Sequence, residues 1–121
     1  MPYTIDGQPV NIEQEPQIKD GTLWVPFRAL GEALGGNVSW DQGTQTITLL
    51  LGPYTTTLTP GDATVNTDGQ PTQLQDAPYV DQGDTWVPVR FFNQPLGYLI
   101  GVDLASRQVD ITNPATANSA V

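Results

Sequence analysis

The sequence predicts an α+β fold of two tandem pseudo-symmetric repeats, each built from short antiparallel β-hairpins packed on one short helix. Two observations predict it. Displaced by 62 residues, the chain registers on itself without a gap: Asp6-Gly7-Gln8-Pro9 meets Asp68-Gly69-Gln70-Pro71, Trp24-Val25-Pro26 meets Trp86-Val87-Pro88, and Leu34-Gly35 meets Leu96-Gly97. Pro16, Gly21, Arg28 and Asp41 hold the same register with Pro78, Gly83, Arg90 and Asp103, and Ile12, Ile18, Val38, Ile47 and Leu49 meet apolar residues. The second observation is the rhythm within each copy. Turn signals alternate with short β-prone runs, and one helical pattern interrupts them.

In the first copy, Tyr3–Ile5, the Asp6-Gly7 turn and Val10–Ile12 read as a hairpin. Ile18, the turn Lys19-Asp20-Gly21 and Leu23–Val25 read as a second strand pair. Pro26 suits the first helical position, where its missing N–H costs nothing. Phe27, Leu30, Ala33 and Leu34 then form an apolar helical stripe, and Gly35-Gly36 stops it. Val38–Trp40, the turn Asp41–Thr44 and Thr46–Leu51 complete the order ββ–ββ–α–ββ. The second copy repeats this order until Pro95, which removes a donor and limits its helix to a single or kinked turn.

Residues 1–52 and 53–113 are therefore expected as the two repeats, with the threonine run Thr55–Thr59 as an additional strand between them and 114–121 as a frayed tail. A lone repeat of about 60 residues buries too little surface for a secure core. The sequence contains no Cys to staple it, so the copies are expected to pack as one unit.

Composition removes many functions. With 4 Lys+Arg against 13 Asp+Glu the chain carries a net charge of −9, which disfavours nucleic acid and anionic membrane surfaces. No run is long and apolar enough to insert in a membrane, and Met1-Pro2-Tyr3 opens without the basic and apolar regions of a signal peptide. His and Cys are both absent, so thiolate nucleophiles, Ser–His pairs and Cys/His metal sites are unavailable. No enzyme activity and no cofactor are expected. Abundant Thr, Gln, Asn, Gly and Pro beside the single Lys19 suit an exported bacterial protein.

Four charged residues recur in register: Arg28 with Asp41, and Arg90 with Asp103. They read as structural pairs, the guanidinium fork meeting a carboxylate within each copy. Trp24 and Trp86 read as core anchors. Tyr54, Tyr79, Phe91, Phe92 and Tyr98 lack aromatic counterparts in the other copy and are the candidate interaction surface. Glu13, Glu15, Asp76, Asp81 and Asp84 lie on separate turns, so any Ca²⁺ affinity is expected in the weak, roughly millimolar class of extracellular modules.

The DGQP hairpin, Pro16, the run Asp20-Gly21-Thr22-Leu23-Trp24-Val25-Pro26-Phe27-Arg28-Ala29-Leu30, then Glu32-Ala33-Leu34-Gly35 and Val38-Ser39-Trp40-Asp41, resembles the copper amine oxidase N-terminal-like (stalk) domain family. The resemblance recurs at Gly83–Arg90 and Leu96–Asp103 and extends from Tyr3 to Thr112. It implies an α+β module of exported bacterial proteins, appended to envelope enzymes or surface anchors. Oxidase activity is not implied, because that chemistry sits in other domains. The expected role is a non-catalytic extracellular or cell-envelope module, a stalk, spacer or binding domain. Its expected partners are an envelope protein, a cell-wall polymer or appended domains. The alternatives are a metal-binding or copper-dependent redox accessory protein, or a small glycan-binding protein.

Overall fold

The computed structural model describes residues 3–52, 54–74, 76–93 and 96–112. Its elements are β1 (Tyr3–Ile5), β2 (Gln8–Val10), β3 (Gln17–Lys19), β4 (Thr22–Pro26), α1 (Phe27–Ala33), β5 (Asn37–Asp41), β6 (Thr46–Leu51) and β7 (Tyr54–Leu58). There follow β8 (Thr64–Thr67), β9 (Gln70–Gln73), β10 (Tyr79–Asp81), β11 (Asp84–Pro88), a 3-10 turn (Val89–Phe92), β12 (Leu99–Asp103) and β13 (Gln108–Thr112). The protein is thus mostly β, in three sheets with one short helix and one 3-10 turn, and carries less helix than an α+β class implies. Pro95 and Gln94, like Met1, Pro53 and the tail from Asn113, lie outside the described residues.

Turn chemistry explains the element boundaries. Asp6-Gly7, Asp20-Gly21, Asp68-Gly69 and Gln82-Gly83 all take positive φ at both positions, the geometry of a two-residue hairpin turn whose twist matches its strands. Pro26 does not start the helix. Its φ of −72° and ψ of 121° keep it extended as the last residue of β4, and α1 begins at Phe27. The helix then ends in a left-handed Gly35: its N–H reaches Glu32 O, and that of Gly36 reaches Gly31 O.

The central sheet has the order β10-β11-β4-β3. Its middle pair is antiparallel, with Val25 opposite Val87, Trp24 opposite Pro88 and Pro26 opposite Trp86. A strand from the first half of the chain therefore meets its counterpart 62 residues later. The outer sheets also mix the halves. In β12-β13-β1-β2 the first strand runs parallel to the last, Tyr3 beside Val109 and Ile5 beside Ile111. In β5-β6-β7-β8-β9 the connecting strand β7 lies between the two hairpins and pairs antiparallel with both β6 and β8.

One continuous core joins the sheets, containing Leu23, Val25, Val87, Phe27, Leu30, Leu49, Leu58, Phe91, Phe92, Val109 and Ile111. The helical elements cross over too: α1 packs on β11, and the 3-10 turn packs on β4. Strand alternation sends Trp24 and Trp86 to the other face of the central sheet, away from this core. Both are buried there, and neither indole N–H has a hydrogen-bond partner among the described residues. Beside them, Gln14 Nε2 donates to Asp84 Oδ2 at 3.2 Å and Thr22 Oγ1 donates to Asp76 Oδ2 at 3.3 Å. These two bonds again fall at positions 62 apart.

Tyr3 ties the N-terminal strand down. Its ring is fully buried and its hydroxyl donates to Gln14 O at 2.8 Å. Burial first, and then the nearby Glu15 carboxylate, push the phenol well above its ordinary value of 10.0. A raised phenol pKa stabilises the fold while the group is neutral, so this contribution is whole below about pH 10 and is lost as pH rises beyond it. Tyr3→Phe should cost about 0.5–1.5 kcal/mol near neutrality, from the lost hydrogen bond. In urea titrations across the alkaline range it should also flatten the fall in stability, which a single buried phenol can steepen by up to about 1.4 kcal/mol per pH unit. An unchanged alkaline slope would show that Tyr3 is not the titrating group.

Candidate functional site

The residues expected to carry function separate into three environments. Arg28 sits on the exposed side of α1, and its Nε lies 3.4 Å from Glu32 Oε2, one helical turn on. It does not pair with Asp41. That carboxylate closes its own hairpin, accepting the Gly43 N–H at 3.0 Å, and Asp103 does the same with the Ala105 N–H at 3.1 Å. A short aspartate side chain at a turn finds a backbone donor two residues away and needs no distant guanidinium. Arg90 likewise does not pair with Asp103 and has no ion pair among the described residues. The expected structural pairs are replaced by one exposed i,i+4 contact and two turn locks.

The candidate aromatic surface is also corrected. Phe91, Phe92 and Tyr98 are buried in the core. Phe27, Phe91 and Phe92 form an aromatic cluster with edge-on contacts, Phe27 to Phe91 at 5.4 Å and Phe91 to Phe92 at 5.0 Å between centroids. The second half of the chain has only the single turn Val89–Phe92 where the first has α1. Two adjacent phenylalanines there supply bulk to the core. Tyr98 is fixed by its N–H to Phe92 O and by Asn93 Nδ2 donating to its carbonyl at 2.7 Å.

Tyr54 and Tyr79 are half-buried. Tyr54 packs against the core. The Tyr79 ring meets Trp24 edge-on at 4.8 Å and carries Lys19 Nζ 4.4 Å from its centroid, a cation–π contact. Burial, then the Asp81 charge, raise the Tyr79 phenol above its ordinary value. For Tyr98 burial again leads, followed by Asp6 and Tyr54. These tyrosines brace the structure.

The surface presents other apolar residues instead. Trp40 at the end of β5 is 51% exposed, and Leu99, Val102 and Leu104 are open to a comparable degree along and after β12. Trp40 has Val102 at its counterpart position, so it was an unmatched aromatic within a motif, and its place on an edge strand was the missing signal. Next to β12 lies a groove of about 970 Å³. Ile100, Val102 and Leu104 line one side, Leu23, Leu74 and Val89 contribute further apolar wall, and Arg90 and Asp20 add charge. A shallower hollow of about 510 Å³ contains Glu13, Glu15 and Arg107.

The family model of the copper amine oxidase N-terminal domain matches residues 4–111, from within β1 to within β13. The chain belongs to the copper amine oxidase N-terminal domain family. No curated protein matches it. The copper in that family name finds no fitting donors here. The sequence offers no imidazole or thiolate, and among the described residues no three carboxylates come together. Asp41, Asp62 and Asp103 each accept a backbone N–H two residues on, and Asp76 and Asp84 accept from the Thr22 and Gln14 side chains.

The reassignments have measurable consequences. Phe91→Ala should cost about 3–5 kcal/mol in chemical denaturation, the range for deleting a buried phenylalanine. Arg28→Ala should cost no more than about 0.5 kcal/mol, as expected for an exposed helical pair. The reverse order would restore Arg28 as the structural residue and Phe91 as the surface one.

Proposed function

We propose that the chain is a non-catalytic module of exported bacterial proteins, a load-bearing spacer of the cell envelope that also offers its sheet edges to a partner. In this reading its two halves are pseudo-symmetric repeats packed as one unit. The matching element bounds 62 residues apart support this, as does the β4–β11 pair centred on Val25 and Val87.

The observation that carries the spacer reading is the parallel pairing of β1 with β13. In a parallel pair the chain reaches β1 at the Tyr3–Val109 end and leaves β13 beyond the Ile5–Ile111 end. Tension between the two sides therefore slides one strand along the other and loads their hydrogen bonds together. Peeling would load them one at a time. The pair is reinforced by the Asp6 N–H donating to Ile111 O at 2.8 Å and by Thr4 Oγ1 donating to Asp110. Tyr3, Val109 and Ile111 root it in the core.

Single-molecule pulling through the two chain ends tests this. The expected trace is one rupture that releases the whole folded length at once. Its force should clearly exceed that measured when the same protein is pulled across the β12–β13 hairpin, through cysteines introduced at Leu99 and Thr112. Stepwise release of two half-length segments, or equal forces in both geometries, would contradict the spacer reading.

A further inference from the structure

Open sheets have edges, and most edges of this protein are blunted. β2 and β9 each contain a proline, Pro9 and Pro71, while β3 and β10 have three residues each and carry Lys19 and Asp81. β5 and β12 are both five residues long and without proline, and of the two only β12 borders the groove of about 970 Å³. The β12 edge runs Leu99-Ile100-Gly101-Val102-Asp103, with Leu99 half exposed and Val102 41% exposed. An unprotected apolar edge of this kind is a template for another strand.

Its two faces differ in chemistry. Ile100 and Val102, continued by Leu104, face the groove of about 970 Å³, whose lining also holds Arg90 and Asp20. On the other face stand Leu99, Gly101 and Asp103. Gly101 lies opposite Asp110 of β13, and a Cβ placed on it would meet the Asp110 Cβ at 3.7 Å. Asp110 is exposed on this face, where its Oδ1 accepts from Thr4 Oγ1 and Gln108 Nε2. Asp103 stands two residues along from Gly101 on the same face.

We propose that β12 is a strand-addition site for an extended segment of another polypeptide, apolar at alternate positions and basic at those between. The apolar side chains enter the groove, and lysine or arginine on the opposite face meets Asp103 and Asp110. The net charge of −9 steers a basic segment toward the edge. A second copy of this chain is disfavoured by that same charge. The proposal specifies the binding half of the function proposed above and is independent of its spacer half, which the pulling experiment tests separately.

The test titrates the full isotope-labelled chain with a short peptide of alternating lysine and valine, followed by amide shifts and hydrogen exchange. Saturable shifts and slowed exchange at Leu99–Asp103 are expected, with no binding of an alternating glutamate–valine peptide. Val102→Lys should weaken binding at least about tenfold, and so should Asp103→Asn with Asp110→Asn, which keeps the side-chain oxygens that accept from Ala105 and Thr4. The asparagine pair also covers the case in which Val102→Lys fails to fold. Shifts confined to another edge, equal binding of the glutamate peptide, or insensitivity to the asparagine pair would overturn the proposal. So would self-association in sedimentation that Val102→Lys abolishes while no peptide binds, which would assign the edge to a second copy.

Discussion

Three residues of β4 lie against three of β11, and the rest of the structure depends on that contact. Val25 and Val87 face each other on the core side, while Trp24 and Trp86 lie on the reverse side opposite Pro88 and Pro26. Each strand is buried because the other is present. Neither half of the chain can complete the central sheet alone, and each half is too small to secure a core by area alone. The same dependence runs through α1, which packs on β11, and through the 3-10 turn, which packs on β4.

From this pairing follows the exchange of hairpins at the periphery. Once β4 and β11 are antiparallel, the hairpin that opens one half lies beside the hairpin that closes the other. On one side they meet directly, as β1 against β13; on the other, the connection between the halves becomes the intervening strand β7. Thr56 and Thr67, buried and within 3.1 Å through their hydroxyls, satisfy each other where β7 meets β8. The added strand gives one outer sheet five strands where the other has four. Trp40 ends one five-residue edge, and Val102 and Leu104 lie along and beyond the other.

Much of this was legible in the residues, because hairpin turns and helix stops are local. The Asp-Gly turns, the Gly35 stop, the strand expected at Thr55–Thr59 and found at Tyr54–Leu58, and the short helical turn of the second half all follow from backbone preferences of neighbouring residues. The copper amine oxidase N-terminal domain family was legible for the same reason, its motif being a string of such turns and anchors. Partnership was not. Arg28 and Asp41 recur together in the sequence, yet each is satisfied within a few residues of itself, at Glu32 and at Gly43. Phe91, Phe92 and Tyr98 lack counterparts because the core they fill is not evenly shared between the halves, which repetition cannot reveal. The exchange of hairpins leaves no local trace, since either pairing would bury the same alternating side chains.

Native-state hydrogen exchange across a denaturant series tests the central claim most directly, because it reads the stability of each strand separately. If β4 and β11 hold both halves, the amides of Val25 and Val87 open only with global unfolding, and those of Ile5 and Ile111 join them at the same free energy. The contradictory result is two separate isotherms, with residues 3–52 opening at one free energy and 64–112 at another, each half protected after the other has unfolded.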